Sequence, residues 1–293
     1  MHKGLSISVL MTPVTANGHP EMDAFYRLSE KASQSPIRGL FPCTSTGEYV
    51  CFSPEENKQL LAETAKANAG RKLLFAGICA PTLMQSLDYM ETAKALHYDA
   101  CVACPPYYYP LSQDEILRYY RELDAAAEGM DIYIYNPPMF TTGIELNTLK
   151  RMLELPSLKG IKDSSANLKR IAHTLLLSKD REDFTVCTGT DDILLSALVS
   201  GCGGSMTAMA CILPELVAGV YDAFEAGDLA LATRYQQKMM PLLAQADRLP
   251  FPAGYKLLAS KTLDCPMGPL LQLCDPEVVS DVDREMDRLL EEE

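Results

Sequence analysis

The sequence is poor in basic residues and has no long apolar run. It holds 26 Lys and Arg against 39 Asp and Glu, a formal net charge of −13, and no basic cluster offsets that charge locally. Nucleic acids and anionic membranes are negative themselves, so the charge argues against both as partners. No apolar stretch approaches the ~20 residues that a membrane-spanning helix needs. The chain runs from Met1 into a strand-like pattern without a cleavable signal, and we therefore expect a cytoplasmic protein.

Histidine is also scarce, which bears on metal chemistry. The four histidines are His2, His19, His97 and His173. None follows a predicted strand, and His97 and His173 fall within predicted helices. An imidazole-ligated zinc site is therefore not expected, and the sequence predicts neither a metal nor a cofactor. Cysteine is not scarce, but most of the ten lie in apolar segments, where cysteine acts as a small hydrophobe.

Strand-like and helix-like segments alternate along the first 225 residues. The predicted strands begin near residues 5, 38, 72, 99, 131, 158, 184 and 203, and a helical pattern follows each one. Eight such units are typical of a (β/α)₈ TIM barrel, an α/β fold, which we predict for residues 1–225. Residues 226–293 lack a strand pattern and predict a C-terminal helical extension, with helices near 228–247, 252–262 and 276–291.

The predicted sixth strand, Leu158–Asp163, ends in Lys162. A lysine that faces a packed interior is costly to keep charged, because burial disfavours the ammonium form. It is then either the partner of an ion pair or an amine nucleophile. A nucleophile needs its pKa lowered from ~10.4, and desolvation inside a barrel can lower it.

Polar side chains follow several other predicted strands. In a barrel of this type, the residues after the strands form the active site. They are Ser45 and Thr46 after strand two, Tyr107, Tyr108 and Tyr109 after strand four, Tyr135 on strand five, and Gly189, Asp191 and Asp192 after strand seven. Each also has a plain explanation: hydroxyls bond to backbone in turns, tyrosines pack at interfaces, and acids favour helix N-termini.

Taken together, five motifs resemble the dihydrodipicolinate synthase and N-acetylneuraminate lyase superfamily. They are Ser45-Thr46-Gly47-Glu48, Pro106-Tyr107-Tyr108, Tyr135-Asn136-x-Pro138, Gly160-Ile161-Lys162 and Gly189-x-Asp191-Asp192. The resemblance covers essentially the whole chain. It implies a class I aldolase in which a lysine forms a Schiff base with pyruvate or another 2-keto acid.

The resemblance also implies roles for individual residues. Lys162 would be the nucleophile, and Tyr135 would relay protons at the bond that is made or broken. Ser45 and Thr46 would hold the carboxylate of pyruvate, with the Ser45 hydroxyl linking the two phenols of the relay. Tyr108 resembles the tyrosine that completes this relay from a neighbouring subunit. This implies at least a dimer, and usually a homotetramer built as a dimer of dimers.

The substrate is less well specified. Dihydrodipicolinate synthases resemble one another in an arginine shortly after Tyr-Asn-x-Pro, and residues 136–143 hold no arginine. The Ser45-Thr46 pair, in place of two threonines, resembles the lyases. The segment Gly189-x-Asp191-Asp192 resembles the part of the lyases that binds a polyol chain, but the synthases carry a similar segment, so it does not decide between them. We therefore expect an aldolase that cleaves a 2-keto-3-deoxy sugar acid or a sialic acid to pyruvate and an aldehyde. The alternatives are 4-hydroxy-tetrahydrodipicolinate synthase, a Schiff-base dehydratase, and a catalytically silent sugar-acid sensor.

Overall fold

Eight parallel strands form a closed barrel in chain order. The computed structural model describes residues 4–291. The strands are β1 (Leu5–Val9), β2 (Gly39–Phe41), β3 (Leu73–Gly77), β4 (Ala100–Ala103), β5 (Asp131–Asn136), β6 (Leu158–Asp163), β7 (Thr185–Thr188) and β8 (Gly204–Thr207). The predicted (β/α)₈ TIM barrel is confirmed.

Helices follow the strands and continue beyond the barrel. Within residues 4–291 they are α1 (Met22–Gln34), α2 (Pro54–Asn68), α3 (Leu83–Ala95), α4 (Gln113–Ala126), α5 (Leu146–Met152), α6 (Leu168–Leu177), α7 (Leu194–Val199), α8 (Met209–Ile212), α9 (Pro214–Glu225), α10 (Leu229–Ala246), α11 (Ala253–Thr262) and α12 (Pro276–Glu291). No helix of the described residues is long and apolar enough to cross a bilayer.

Contacts group the described chain into two compact units. The first unit comprises residues 4–5 and Leu73–Met206, and the second comprises Ser6–Lys72 and residues 207–291. The first unit therefore carries β3 to β7, and the second carries β2 and the C-terminal helices. The boundary that we predict at residue 226 stays a prediction.

Helix starts follow the local sequence closely. The Ser53 hydroxyl accepts a hydrogen bond from the backbone N–H of Glu56, and the Glu56 carboxylate accepts one from the backbone N–H of Ser53. Such a reciprocal capping box satisfies two backbone donors that a helix N-terminus leaves free. Ser112 and Glu115 form the same box at the start of α4. Both boxes fix where a helix leaves the loop that precedes it.

The predicted boundaries differ from the observed ones mainly at helix ends. Helix α3 ends at Ala95 and His97 has a φ of 57°, so the prediction that His97 lies on a helix is wrong. Two short elements had no sequence signal, the 3₁₀ turn Tyr49–Cys51 and helix α8. Both are about one turn long, which is too short for a hydrophobic period to reveal.

Candidate active site

Lys162 and Tyr135 are paired neighbours on adjacent strands of the first unit. The parallel register of β5 and β6 sets Tyr135 opposite Lys162. Both side chains are buried, with 5% of Tyr135 and 4% of Lys162 exposed. The Lys162 Nζ lies 4.4 Å from the centroid of the Tyr135 ring. The structure therefore brings together the predicted nucleophile and the predicted proton relay.

The surroundings of Lys162 weaken its ammonium form. Burial lowers the pKa of Lys162 to about 8, against an ordinary value of 10.5, because a desolvated ammonium ion loses its hydration. Cys79 and Asp191 oppose this shift, since negative charge nearby favours the protonated amine. The effect of desolvation is larger than that of these charges, so the pKa of Lys162 is lowered. At pH 7 about a tenth of such amines are neutral and nucleophilic.

Asp163, next to Lys162 in the chain, joins β5 to β6 and to helix α6. Its carboxylate is fully buried and accepts hydrogen bonds from the Asn136 Nδ2 at 2.9 Å and the Arg170 Nε at 2.7 Å. The Ser165 backbone N–H and hydroxyl also donate to it. The Asn136 Oδ1 in turn accepts from the backbone N–H of Ile144 at 3.0 Å. This network fixes the strand ends beside both Tyr135 and Lys162.

Gly189 follows β7 and lies against the lysine. A Cβ at this position would lie 2.9 Å from the Lys162 Cε and would collide with the Ser164 hydroxyl. The Gly189 backbone N–H donates to the Asp163 carbonyl at 2.8 Å, which holds the loop at this distance. Glycine is therefore needed here for space, and it leaves the Lys162 side chain room.

The two acids after Gly189 have different environments. Asp191 is 5% exposed, and its negative charge acts on Lys162. Asp192 is exposed. The structure thus brings Asp191 into the electrostatic surroundings of the amine. Their predicted part in substrate binding stays a prediction.

Two buried cysteines also belong to the surroundings of Lys162. The backbone N–H of Cys104 donates to the Cys79 Sγ at 3.2 Å. A side-chain hydrogen bond from Cys104 lowers the pKa of Cys79, and the positive charge of Lys162 acts in the same direction. From the sequence, cysteines in such apolar segments are expected to act as small hydrophobes. Cys79 follows β3 and Cys104 follows β4, so the rule that site residues follow barrel strands could have found them.

The predicted carboxylate-binding turn, Thr44–Glu48, lies in the second unit directly after β2. The Gly47 backbone N–H donates to the Thr44 Oγ1 at 3.0 Å, and the Glu48 N–H donates to the Ser45 carbonyl at 3.1 Å. A Cβ on Gly47 would lie 2.6 Å from the Leu10 carbonyl oxygen. Thr46 is buried and Ser45 half-buried. The turn is thus internally bonded and held against the chain that follows β1.

The tyrosine run after β4 points largely to solvent. Tyr108 is 86% exposed and Tyr109 is 76% exposed, and their rings contact edge to face with centroids 5.1 Å apart. Tyr107 is half-buried. Tyr108 also has a φ of 81°, a left-handed conformation that is uncommon for a residue with a side chain. Within its own chain Tyr108 is therefore a surface residue, in keeping with a predicted role toward a second subunit.

Within residues 4–291, no three His, Cys, Asp or Glu side chains are grouped so that they could hold a metal ion. The chemistry that this site offers is that of an amine, phenols and carboxylates. A neutral buried amine beside a phenol can attack a carbonyl carbon, and the phenol can move the protons that follow.

Comparison with known proteins identifies the family. The model of the dihydrodipicolinate synthetase family matches residues 2–291. The chain belongs to this family. It is 31% identical over 274 residues to a 4-hydroxy-tetrahydrodipicolinate synthase of Hyphomonas neptunium, covering 93% of this chain and 90% of the relative. It is 30% identical over 247 residues to a 2-dehydro-3-deoxy-D-gluconate/2-dehydro-3-deoxy-phosphogluconate aldolase of Picrophilus torridus, covering 84% and 91% of the two chains.

A solved structure of the same fold is the sialic acid aldolase of Ruminococcus gnavus. It superposes with a TM-score of 0.88 and covers 99% of both chains at 20% identity, a likeness that concerns the fold. The dihydrodipicolinate synthetase family thus includes relatives named as synthase and as aldolase. The chain has the class I aldolase scaffold of this family and is an enzyme of the lyase class.

Proposed function

We propose that the protein is a Schiff-base aldolase that cleaves a 2-keto-3-deoxy sugar acid or a sialic acid to pyruvate and an aldehyde. The observation that carries the proposal is the buried Lys162 amine, with its pKa lowered to about 8 and its nitrogen 4.4 Å from the ring centroid of Tyr135. Desolvation is the largest cause of this shift, and it leaves a share of the amine neutral and nucleophilic at neutral pH.

The reaction follows from the chemistry of these groups. The neutral Lys162 amine attacks the ketone carbon, and Tyr135 gives its proton to the departing hydroxyl, so that loss of water leaves an iminium ion and a phenolate. The C3–C4 bond then breaks: its electron pair flows to the iminium as an enamine, and the C4 hydroxyl gives its proton to the Tyr135 phenolate. Protonation of the enamine at C3 and hydrolysis of the imine release pyruvate and free the lysine. The iminium acts as an electron sink, which is why a covalent amine accelerates the cleavage.

Ser45 and Thr46 are proposed to bind the carboxylate of the keto acid. Hydroxyls and backbone amides of a tight turn are donors that carboxylates prefer. Asp191 and Asp192 are proposed to bind hydroxyl groups of the polyol chain, for which carboxylates are good acceptors. A sugar acid fits these acceptors better than an aldehyde that carries a second carboxylate.

The lack of arginine between Asn136 and Gly143 supports this choice of substrate. A dicarboxylate condensation needs a second cationic clamp, and the loop offers Phe140 and Thr141 in its place. The second candidate function, 4-hydroxy-tetrahydrodipicolinate synthase, is supported by the identity of 31% to a relative of that name. The two candidates share the Lys162 imine and differ in the aldehyde.

Two assays test the proposal. Incubation with pyruvate and cyanoborohydride, followed by mass spectrometry, should add one reduced pyruvyl group at Lys162, and Lys162→Met should gain no mass. A panel of 2-keto-3-deoxy sugar acids and sialic acids should then release pyruvate. Faster condensation of pyruvate with aspartate semialdehyde would replace the first candidate with the second. An unlabelled wild-type protein would rule out both.

A further inference from the structure

A second buried lysine, Lys256 on helix α11, lies far along the chain from the proposed nucleophile. Its Nζ lies 2.8 Å from the Glu48 Oε2, and each side chain of this pair is only 1% exposed. The Gln272 Nε2 donates to the other carboxylate oxygen of Glu48 at 3.1 Å. Glu48 thus has both oxygens bound by residues from the C-terminal part of the chain.

Glu48 is the last residue of the turn that follows β2. It has a φ of 61°, a left-handed conformation that costs free energy for a residue with a Cβ. Its backbone N–H donates to the Ser45 carbonyl at 3.1 Å. The position of the Glu48 backbone therefore sets the shape of the turn that holds Ser45 and Thr46. A side chain that is fixed at both oxygens keeps that backbone in place.

Burying the Glu48–Lys256 ion pair only to stabilise the fold would be unfavourable in free energy. Removing two charges from water costs free energy because each ion loses its hydration, and a well-packed apolar pair of similar volume is often as stable or more stable. An ion pair differs from an apolar pair in that its hydrogen bonds define where each atom lies. A buried pair at the end of a substrate-binding turn is well suited to fixing geometry.

We propose that Lys256 and Gln272 are positioning residues for the substrate's carboxylate. Through Glu48 they hold the Ser45–Thr46 turn in the form that accepts the carboxylate of a 2-keto acid. The inference rests on the proposed function. It assigns a role to the C-terminal segment, which fixes the substrate-binding turn through the Glu48 carboxylate and does not contact the substrate.

The test uses the full-length enzyme and labelling by pyruvate with cyanoborohydride. Three variants separate the contributions: Glu48→Gln, Lys256→Met, and the neutral double variant Glu48→Gln/Lys256→Met, which leaves no unpaired buried charge. The matched control is Lys261→Met on the same helix, which breaks partly buried ion pairs to Asp283 and Asp287, both at 2.7 Å. Folding of every variant is checked by circular dichroism at the assay temperature.

We expect the pyruvate concentration for half-maximal labelling to rise about tenfold or more in Glu48→Gln and in the double variant, because the carboxylate site is displaced. The labelling rate at saturating pyruvate should change far less, since Lys162 and Tyr135 are untouched. Lys261→Met should label like the wild type. A merely structural role for the pair would lower thermal stability and leave the half-maximal concentration unchanged.

Three outcomes overturn the inference. The first is a folded Glu48→Gln protein with the half-maximal concentration of the wild type. The second is an equal rise in Lys261→Met, which would show a general effect of loosening α11. The third is a fall in the saturating rate alone. If the wild type itself is not labelled, the proposed function fails, and this result is distinct from the other three.

Discussion

Lys162 has two properties that together favour imine chemistry near neutral pH. It is buried, which lowers its pKa to about 8, and its nitrogen lies over the phenol ring of Tyr135. A lysine locked in an ion pair has its pKa raised and stays protonated. The nitrogen lies over the ring of Tyr135, the residue for which we propose the proton relay.

The first prediction concerns the pH dependence of imine formation. Only the neutral amine attacks a ketone, so the rate of pyruvate labelling at low pyruvate should rise about tenfold per pH unit below pH 8 and level off above it. The measurement is the labelling rate with cyanoborohydride between pH 6 and 10. A rate that still rises about tenfold per pH unit between pH 8 and pH 10 would show that burial does not activate this amine.

The second prediction concerns stability and the charge of Lys162. Its folded pKa of about 8 lies below the ordinary value of 10.5, so between these pH values the unfolded chain binds more protons than the folded one. Below pH 8 Lys162 is protonated in both states. The folded state is then destabilised by the full free-energy cost of burying the ammonium ion. Lys162→Met should therefore raise the free energy of unfolding at pH 7 by up to roughly 3 kcal/mol.

This gain should shrink as the pH rises from 8 toward 10.5, because the wild type then loses its buried charge. Urea unfolding of both proteins at pH 7 and pH 10 measures the difference directly. The comparison between variants cancels the titration of groups that both proteins share. A variant that is less stable than the wild type at pH 7 would contradict a desolvated ammonium ion at this position.

At the scale of secondary structure elements, the ends of β5 and β6 are held together by Asp163. Its carboxylate bonds to Asn136 on β5 and to Arg170 on α6. Asn136 and Asp163 directly follow Tyr135 and Lys162 in the chain. Loss of the Asp163 charge should therefore disturb the pairing of the two reactive side chains as well as the stability of the barrel.

The third prediction is that Asp163→Asn destabilises the protein by about 3 kcal/mol, because it leaves the largely buried Arg170 guanidinium without its counter-charge. The rate of pyruvate labelling at saturation should fall as well. The control is Asp183→Asn, which removes an exposed acid paired with Arg181 and Lys159. Exposed pairs contribute about 0–1 kcal/mol, so this variant should differ little from the wild type. Equal losses in both variants would contradict the assigned role of Asp163.

The elements themselves were largely predictable from sequence, for a physical reason. Apolar runs of strand length alternate with helical spacing, and capping residues such as Ser53 and Ser112 mark helix starts. Because both residues lie at predicted strand ends, the sequence also predicted that Lys162 and Tyr135 belong to one site. The buried role of Asp163 was not predicted, because an acid beside two serines is typical of an ordinary turn. Its partner Arg170 lies seven residues on, beyond a loop whose course the sequence does not specify.

The contact between Glu48 and Lys256 could not be predicted from the sequence, for another reason. The two residues are 208 positions apart, and neither stands in a pattern that marks a buried charge. Charged side chains read as solvent-facing because their burial without a partner is costly. Only the fold shows that each supplies the partner of the other.

At the scale of the whole molecule, the loops after β4 and β5 expose apolar and aromatic side chains. Tyr108 and Tyr109 are 86% and 76% exposed, and Met139 and Phe140 are 58% and 45% exposed. Exposed groups of this kind are typical of protein interfaces. They support the prediction that the enzyme assembles into dimers or a dimer of dimers, with Tyr108 completing the site of a second copy.

The fourth prediction tests this shared site by complementation. Tyr108→Phe should lose much of its activity, because the relay lacks one hydroxyl, and Lys162→Met should lose all of it. If Tyr108 acts across a two-fold interface, a mixed dimer of the two variants contains one intact site, with Lys162 from one subunit and Tyr108 from the other. Co-expression in equal amounts should then restore about a quarter of the wild-type activity, since half the dimers are mixed and each has one of two sites.

Separately purified variants that are assayed side by side without exchange give the baseline, and sedimentation velocity gives the assembly state of each protein. Activity of the co-expressed mixture above the sum of its parts requires that residues of two chains meet in one site, because neither chain alone holds a complete set. A mixture no more active than Tyr108→Phe alone would place Tyr108 outside the relay or within its own subunit's site. In the first of these two cases the exposed tyrosine would serve assembly rather than chemistry, and proton transfer would fall to Tyr135 and the groups of its own chain.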